Sequence, residues 1–345
     1  MTPPVKPKLL LAASAELEGL ADAMHGVLAR SGRQAEIATA STERPGDLAR
    51  AAARIRPDIG LIADLGAPFG RAHEADAWIS DFAGLVAGIK PGGAIVFNAD
   101  AAPVDNHDTS GMPHLVTYGV RDPEADVSVL RVTQHPRCSC VKVGLGATTM
   151  AIKVNRPGSR WISHALAILT TAHMLGADLA EAGLALASLK PAAGHGRVSK
   201  IRGAGGTCWL IDDSAEADPL AVIDAIEVLG LADVKGQGRR IAVLGDTPGL
   251  GFHSGALRAS VARVLEENHV DIVIAVGPEL AEAVRALPVE TEWHAVAKIG
   301  AAIDVLKDLV RDGDVILVKG GQARGLERLV KALTRAGGRA GRQAA

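Results

Sequence analysis

Residues 207–219 read TCWLIDDSAEADP, and this stretch decides how the second half of the chain is expected to fold. An apolar run, CWLI, is followed by Asp212, Asp213 and Ser214, and a proline then begins the helical pattern PLAVIDAIEVL. This order predicts a buried strand followed by a helix with proline in its first turn. Open α/β sheets bind ligands at the carboxyl ends of their strands, so the polar residues mark a candidate ligand site. The alternative is an ordinary strand-to-helix turn in which Asp218 caps the helix.

Short apolar runs alternate with helical patterns along most of the chain, which predicts an α/β fold with parallel sheets. The predicted strands and helices of the first hundred residues are, in order, 8–12, 14–31, 47–56, 58–65, 75–89 and 94–97. Four β-rich runs then predict an antiparallel patch: 115–120, 126–135, 138–145 and 148–154. Helices are predicted at 161–175, 179–189, 219–229, 256–267, 278–286, 299–311 and 325–334. The remaining predicted strands are 207–211, 240–244, 271–276 and 314–318.

The segment KPAAG at 190–194 is the best linker candidate, because proline and glycine interrupt both helices and strands. We therefore expect two doubly wound domains. Residues 1–190 form a parallel sheet with the attached antiparallel patch, and residues 191–336 form a Rossmann-like domain. The last segment, 337–345, is expected to be a disordered tail.

Composition limits the class of protein. Of the 345 residues 48% are hydrophobic and 22% are charged, and the formal net charge is -2. This balance is typical of a globular protein and gives no broad basic field for nucleic acid and no basic amphipathic helix for a membrane surface. The N-terminal apolar run LLLAA is too short for membrane insertion. Three cysteines do not make a disulfide framework, so we expect a cytoplasmic protein.

Five segments carry a resemblance to a known family. They are IKPGGAIVFNAD at 89–100, PGSRWISHALAILTTAHMLGADL at 157–179, LIDDSAEADP at 210–219, RRIAVLGDTPGLGFHSGALR at 239–258 and GDVILVKGGQARGLERLV at 313–330. In this order they resemble motifs of the Mur ligases, and most closely those of the MurF type, which join D-Ala-D-Ala to a UDP-MurNAc-tripeptide. The resemblance implies a Mur ligase central, ATPase-like domain in residues 1–190 and the family's C-terminal domain in 191–336. The family's N-terminal UDP-substrate domain has no counterpart in the sequence.

The resemblance also implies a reaction that can be tested residue by residue. In the family, ATP phosphorylates a carboxylate and an amine then attacks the acyl phosphate, with Mg²⁺ as a further cofactor. The phosphate-binding pattern G-x-x-G-K-[ST] is absent from this sequence. Where the family's loop falls, the glycines become Ser14 and Leu17 and the lysine becomes Glu18. A negative charge replaces a positive one, and a unit charge pair at about 4 Å is worth about 1 to 4 kcal/mol.

The family's second metal is held by a carbamylated lysine, which aligns here with Phe82 or Ala83. Neither side chain can carry a carbamate, and no lysine lies between Lys8 and Lys90. We therefore expect no catalytic residues, no metal site and no bound cofactor. A separate pattern, His135-x-x-Cys138-x-Cys140, is a weak zinc candidate without an evident fourth ligand.

Several polar residues of the family are kept or replaced by other polar types. The vestigial nucleotide-contact candidates are Asn98, Asp100, Arg160 and His164. The candidates for a ligand cleft between the domains are Asp213, Ser214, Glu216, Asp218, Asp246 and Lys319. Glu216 and Asp218 add negative charge where the family carries neutral amides, which suits a basic peptide or an amine better than a triphosphate. The alternative is that these carboxylates are simply solvated or cap strand ends.

The sequence therefore predicts a MurF-like protein that has lost ATP-dependent ligase activity. It would act as an accessory or regulatory protein in cell-wall precursor synthesis, with an active Mur ligase or another cell-wall enzyme as its partner. Two alternatives stay open. The first is an active ATP-dependent amide ligase with an unusual phosphate site. The second is a nucleotide- or peptide-binding module.

Overall fold

The chain was described with a computed structural model that covers residues 6–13, 17–42, 44–64, 72–100, 113–203, 206–215, 219–246, 255–285, 287, 291–320 and 325–343. It divides into two compact units. Unit 1 comprises residues 1–134 and 138–190, and unit 2 comprises residues 135–137 and 191–345. Within the described residues, no helix is long and apolar enough to cross a membrane.

Unit 1 is an eight-stranded sheet with helices on its two faces. Its strands are β1 (Lys8–Ala13), β2 (Glu36–Ser41), β3 (Ile59–Ile62), β4 (Ala94–Asn98), β5 (His114–Gly119), β6 (Val127–His135), β7 (Cys138–Leu145) and β8 (Thr148–Val154). Its helices are α1 (Leu17–Arg30), α2 (Asp47–Ile55), α3 (Ala72–Gly88), α4 (Ser159–Met174) and α5 (Leu179–Ser188). The strand order is β2-β1-β3-β4-β5-β6-β7-β8.

The sequence of strand β1 explains why helices cover both faces of the sheet in unit 1. Its sequence, KLLLAA, is apolar on both faces of the strand, as expected for a strand covered on both sides. Leu9 and Leu11 belong to the core beneath α1, α4 and α5, whereas Leu10 and Ala12 belong to the core beneath α2 and α3. Successive side chains of a strand point to opposite faces, so a four-residue apolar run supports helices on both sides.

The predicted antiparallel patch is smaller than expected, and one part of that prediction is wrong. Strands β7 and β8 are antiparallel, with Val141 opposite Ile152. Strand β5, however, runs parallel to β4 and extends the parallel sheet. It also pairs in parallel with the start of β6, where Tyr118 lies opposite Val127. Composition predicts that a segment is a strand, but the direction of pairing depends on which neighbour it meets.

Unit 2 is a six-stranded sheet, also covered on both faces. Its strands are β9 (Arg197–Gly203), β10 (Gly206–Asp213), β11 (Arg240–Gly245), β12 (Ile272–Val276), β13 (Glu292–Val296) and β14 (Val315–Lys319). Its helices are α6 (Pro219–Gly230), α7 (Gly255–Glu267), α8 (Pro278–Val284), α9 (Ile299–Leu309) and α10 (Leu326–Gln343). The strand order is β13-β12-β11-β14-β10-β9, and only β9 is antiparallel to its neighbour.

The structure adds elements that the sequence did not predict. Three strands, β2, β9 and β13, were missed, and each lies at an edge of its sheet. Helix α10 continues to Gln343, so residues 337–343 of the expected disordered tail are helical in the structure. The doubly wound character of both units agrees with the prediction.

Candidate functional site

The turn after β1 is where the family's phosphate loop would lie. Residues 14–16 are outside the described part of the chain, so the prediction for Ser14 is not tested by geometry. Helix α1 begins at Leu17, which is half-buried and packs against the core, and Glu18 is exposed in the first turn. The N-terminus of a helix attracts anions through its free N–H groups. Glu18 already supplies a negative charge there, which opposes a phosphate at the same place.

Asn98, at the carboxyl end of β4, is buried and makes structural hydrogen bonds. Its Nδ2 donates to the carbonyl oxygen of Ala63 at 3.1 Å and to Ser163 Oγ at 3.3 Å, and its Oδ1 accepts from the N–H of Asp100 at 3.0 Å. These bonds join β4 to the end of β3 and to helix α4. Both ends of the Asn98 amide are used within the fold.

Asp100 shapes the turn that follows β5. Its carboxylate accepts hydrogen bonds from the backbone N–H groups of Val120 at 2.7 Å, Arg121 at 3.0 Å and Asp122 at 3.0 Å. A carboxylate that accepts three backbone N–H groups satisfies donors that the turn leaves open. Asp100 is therefore a turn-organising residue in this structure.

Tyr118 is the largest fully buried side chain near these residues. Its hydroxyl donates to the carbonyl oxygen of Ala63 at 3.1 Å, so Ala63 accepts from both Tyr118 and Asn98. Burial raises the pKa of Tyr118 well above its ordinary range, and the nearby carboxylates of Asp64 and Asp100 raise it further. Tyr118 is therefore a neutral hydrogen-bond donor at physiological pH, a contribution that the sequence analysis did not identify.

Arg160 and His164 lie on the first two turns of α4, beside a stack of planar groups. The guanidinium of Arg156 lies 3.6 Å from the ring centroid of Trp161. The rings of Trp161 and His164 meet edge to face, with centroids 5.0 Å apart. Cation–π and aromatic contacts of this kind stabilise the helix start when they are buried. The structure thus gives His164, which is 2% exposed, a place in the packing of α4.

The position expected for the carbamylated lysine is occupied by aromatic packing. Phe82 lies on α3, with its ring centroid 5.7 Å from that of Trp78 and 6.4 Å from that of Phe97. Ala83, the other aligned residue, is exposed. Neither position offers an oxygen or nitrogen atom from its side chain. The family's second metal therefore does not fit the residues present.

Lys319 and Asp213 are a contacting pair among the described candidate residues of unit 2. Strands β10 and β14 are parallel neighbours, and their register places Asp213 opposite Lys319. Lys319 Nζ lies 2.7 Å from Asp213 Oδ2, and the lysine side chain is only 1% exposed. Two residues that are distant in sequence thus form a short ion pair at the carboxyl ends of the strands, where open sheets bind ligands.

Ser214 belongs to a second network beside this pair, organised by Asp212. The hydroxyl of Ser214 donates to Asp212 Oδ1 at 2.7 Å, and the N–H of Gly194 donates to Asp212 Oδ2 at 2.9 Å. The N–H of Ala215 in turn donates to the carbonyl oxygen of Gly194 at 3.0 Å. Asp212 therefore fastens the segment before β9 to the end of β10.

Asp246 has a capping role. Its carboxylate accepts from the N–H of Leu280 at 2.8 Å and of Glu279 at 3.2 Å, both in the first turn of α8. Helix α8 begins at Pro278 and has no side-chain cap from its own N-cap residue, Gly277. Asp246 supplies that cap from the end of β11.

Two sets of sequence expectations remain: the roles of Glu216 and Asp218, and the zinc pattern at 135–140. Glu216 and Asp218 lie outside the described residues, so neither their place in a ligand site nor the helix-cap alternative is tested. Among the residues the structure describes, which include His135, Cys138 and Cys140, no group of three or more His, Cys, Asp or Glu side chains could hold a metal ion.

Comparison with known proteins agrees with this architecture. The profile of the Mur ligase, glutamate ligase domain family matches residues 196–321, the part of the chain that carries Asp213, Asp246 and Lys319. Two relatives are named UDP-N-acetylmuramoyl-tripeptide–D-alanyl-D-alanine ligase. The one from Mycobacterium leprae is 26% identical over 330 residues, covering 85% of this chain and 62% of the relative. The one from Escherichia coli is 27% identical over 294 residues, covering 84% and 62%. The chain is similar to MurF-type Mur ligases over most of its length.

Solved structures share the fold of this MurF-like chain at low sequence identity. MurF from Acinetobacter baumannii superposes with a TM-score of 0.79 at 17% identity, covering 95% of this chain and 76% of the other. The MurF ligase of Thermotoga maritima in complex with ADP gives a TM-score of 0.76 at 18% identity, covering 96% and 80%. The MurF-like chain spans 62% of the length of the first curated relatives it matches.

The Lys319–Asp213 pair of this MurF-like chain can be tested by mutation. We expect Asp213→Ala to lower the free energy of unfolding by about 2–4 kcal/mol, because it leaves a buried ammonium without its carboxylate. Adding Lys319→Met to that variant is expected to recover part of the loss. Urea unfolding of the two single variants and the double variant measures the coupling, and simple additivity of the two single effects would contradict the proposed ion pair.

Proposed function

We propose that this chain is a MurF-like protein of peptidoglycan precursor synthesis that does not carry out ATP-dependent ligation. In this proposal it is a cytoplasmic accessory or regulatory protein whose partner is an active Mur ligase or another cell-wall enzyme. The names of the relatives support the pathway. The loss of ligation rests on the residues that stand at the family's reactive positions.

The observation that carries the proposal is the start of α1. Ligation in the family requires a triphosphate at the turn between β1 and α1. Here Leu17 packs against the core at the first position of the helix and Glu18 follows in the first turn. Backbone N–H groups can approach phosphate only where side chains leave room, and a carboxylate at this place repels the ligand. Leu17 and Glu18 therefore support the proposal that ATP and Mg²⁺, the cofactors of the family, are not bound at this turn.

The aromatic contacts of Phe82 give independent support. A second metal would need a lysine on α3 at or next to this position, but Phe82 packs against Trp78 and Phe97 instead. Reverting one position does not restore the site, because the phosphate turn and the metal ligand are replaced together.

We expect Mg-ATP at millimolar concentration to give no heat of binding in calorimetry and no shift of the melting temperature. A ligand present at a hundred times its Kd stabilises a protein by about 2.7 kcal/mol, so a functional site would be visible in either measurement. The Escherichia coli relative, titrated under the same conditions, is the positive control. Submillimolar ATP binding that Glu18→Arg abolishes would place ATP on this turn and overturn the proposal.

A second candidate function is an ATP-dependent amide ligase with an unusual phosphate site. The observation that favours it is the retained Lys319–Asp213 pair at the carboxyl edge of unit 2. Phosphate release in the presence of candidate acyl and amine substrates separates the two candidates. Release that depends on both substrates supports the ligase and excludes the accessory protein as proposed.

The accessory role has its own test. A MurF-type ligase from the same source is assayed with and without this chain at equal concentrations. We expect a change in its rate and co-migration of the two proteins in size-exclusion chromatography. An unchanged rate together with separate migration would contradict the accessory role.

A further inference from the structure

Strand β13 lies at one edge of the sheet in unit 2, where it pairs with β12. At the start of β13, the N–H of Glu292 donates to the carbonyl oxygen of Asp271 at 3.1 Å. At its end, the carbonyl oxygen of Val296 accepts from the N–H of Gly277 at 2.9 Å. Backbone groups of successive residues in a strand point to opposite sides, so every second residue from Glu292 bonds to β12. The two residues between them direct their N–H and C=O groups away from the sheet.

Trp293 and Ala295 are these two outward-directed residues, and both are exposed. Their side chains lie on the same face of β13 because they are two residues apart. Trp293 is 40% exposed. Within the described part of the chain it does not belong to either core of unit 2, although Val296 of the same strand packs against one of them. The outer edge of β13 therefore presents backbone donors and acceptors next to one large and one small apolar side chain.

The other edge strands are less suited to pairing with an additional strand. β8 contains Lys153, and β9 contains Arg197, Lys200 and Arg202. Lysine and arginine on an edge strand disfavour its pairing with another chain. β8 also contacts α5, and β9 contacts α10. The sequence of β2, EIATAS, has no aromatic residue, whereas that of β13, EWHAV, has an exposed tryptophan and no lysine, arginine or proline.

From this arrangement we infer that β13 is a dimerisation edge, which pairs with β13 of a second copy of this chain in antiparallel orientation about a two-fold axis at His294. In this register Trp293 of one copy lies opposite Ala295 of the other, and the same pair recurs on the other side of the axis. Each pair exchanges two N–H···O=C hydrogen bonds through the backbone groups that point outward. The indole ring of one copy then covers the alanine methyl group of the other, so a large side chain meets a small one.

The charged residues at the two ends of β13 favour the antiparallel orientation. Glu292 begins the strand, and Lys298 follows its end by two residues with an extended backbone, at φ -138° and ψ 150°. Both residues are exposed. Antiparallel pairing places Val296 of the second copy opposite Glu292, and Lys298 of the second copy becomes a diagonal neighbour within reach of long side chains. A parallel arrangement would instead place like charges side by side.

A second copy fits this edge better than another extended segment does. Any strand could bond to the backbone groups, but the occupant must also bring a small residue opposite Trp293 and a cation near Glu292. A second copy supplies both. The strand has 5 residues, whereas a standard interface uses roughly 20–30 residues a side. We therefore expect a weak dimer, with a dissociation constant on the order of 10–100 µM.

Sedimentation velocity of the full chain from about 5 to about 500 µM tests for this dimer. We expect monomer at the lowest concentration and mostly dimer at the highest. Trp293→Ala and Ala295→Pro should each weaken the dimer by at least about tenfold. Proline at position 295 removes an N–H that the chain's own sheet does not use, so the variant should keep its fold, which circular dichroism checks.

Thr39→Pro in the edge strand β2 is the matched control. The N–H of Glu36 donates to the carbonyl oxygen of Pro7 at 2.9 Å, so the backbone groups of Thr39, three residues later, point away from the sheet of unit 1. This variant also removes an outward N–H from an edge strand, but from the edge that we do not assign to the dimer. We expect it to dimerise as the unmodified chain does.

Cross-linking tests the register independently. His294 lies on the axis, in a pair without mutual hydrogen bonds whose Cα atoms are about 4.5 Å apart, which a disulfide can span. His294→Cys should therefore give a covalent dimer when a small disulfide is added as the oxidant. Glu292→Cys should not, because its two copies lie four residues apart along the pair of strands, roughly 14 Å. Both variants also carry Cys138→Ser and Cys140→Ser, since these two cysteines are not buried.

Three results would overturn the inference. The first is a chain that stays monomeric over the whole concentration range, which would leave the edge to a different protein. The second is an equal loss of dimer in Ala295→Pro and Thr39→Pro. The third is equal cross-linking of the His294→Cys and Glu292→Cys variants. None of these measurements depends on whether the chain binds ATP.

Discussion

Asp314→Ala should lower the free energy of unfolding by about 3–5 kcal/mol, the cost of removing one partner of a buried ion pair. Asp314 is fully buried, directly precedes β14 and faces Arg239, whose Nη2 lies 2.9 Å from its Oδ2. Its carboxylate also accepts from the backbone N–H of Arg239 at 2.9 Å and of Arg311 at 2.8 Å. The hydrogen bond to Asp314 raises the pKa of Arg239, so the guanidinium stays charged and loses its partner in the variant.

Urea unfolding at neutral pH measures this effect. The control is Asp304→Ala, which removes an exposed carboxylate paired with Lys307 three residues later and should cost less than about 1 kcal/mol. Replacing both partners with apolar residues, as in Arg239→Met with Asp314→Leu, should cost less than Asp314→Ala alone, because no buried charge is left. If Asp314→Ala and Asp304→Ala lose the same free energy of unfolding, the buried Arg239–Asp314 pair contributes no more than an exposed pair.

Gly84→Ala should lower the free energy of unfolding by about 1–3 kcal/mol. A Cβ atom at Gly84 would lie 2.3 Å from the Cβ of Ala49 and 2.9 Å from its Cα, so α2 and α3 would have to move apart. Normally the change from glycine to alanine inside a helix is favourable by roughly 0.5–1 kcal/mol. The sign of the measured effect therefore reports the contact between the two helices.

Gly26→Ala is the matched control, since Gly26 is in the interior of α1 and a Cβ there would meet nothing within 4 Å. We expect it to raise the melting temperature while Gly84→Ala lowers it. If both substitutions stabilise the chain, α2 and α3 are not packed as closely as the structure indicates.

The sequence predicted the buried strands well, and the three strands that it missed all lie at sheet edges, although the edge strand β8 was predicted. Strands β3, β12 and β14 are fully buried, and their unbroken apolar runs made them recognisable. The three missed strands, β2, β9 and β13, have only one neighbour each. β2 and β13 are largely half-buried or exposed, with sequences EIATAS and EWHAV. An edge strand needs fewer apolar residues because part of it faces water, so its sequence resembles that of a loop.

The sequence predicted which polar residues lie at the strand ends of the candidate site, but not which contacts each of them makes. Asp213 and Lys319 were both singled out, yet their ion pair depends on β14 lying next to β10, which no local pattern encodes. Asp246 was assigned to a ligand site, but its carboxylate is used at the start of α8. Asp212 was noted beside Asp213 and Ser214, but its hydrogen bonds to Gly194 and Ser214 could not be read from the sequence. Local patterns indicate which residues are polar at a strand end, and tertiary contacts decide what they bind.

The position of β14 has a consequence for how the protein is made. In unit 2 the last strand among the described residues, β14, lies in the centre of the sheet, between β10 and β11. On the ribosome, β10 is completed about 100 residues, and β11 about 70 residues, before the strand that joins them begins. In unit 1 most neighbouring strands are consecutive along the chain, and its sheet can grow as the chain emerges. Until β14 is synthesised, β10 and β11 of nascent unit 2 therefore each leave one edge unpaired, and this interval is when the unit most needs a chaperone.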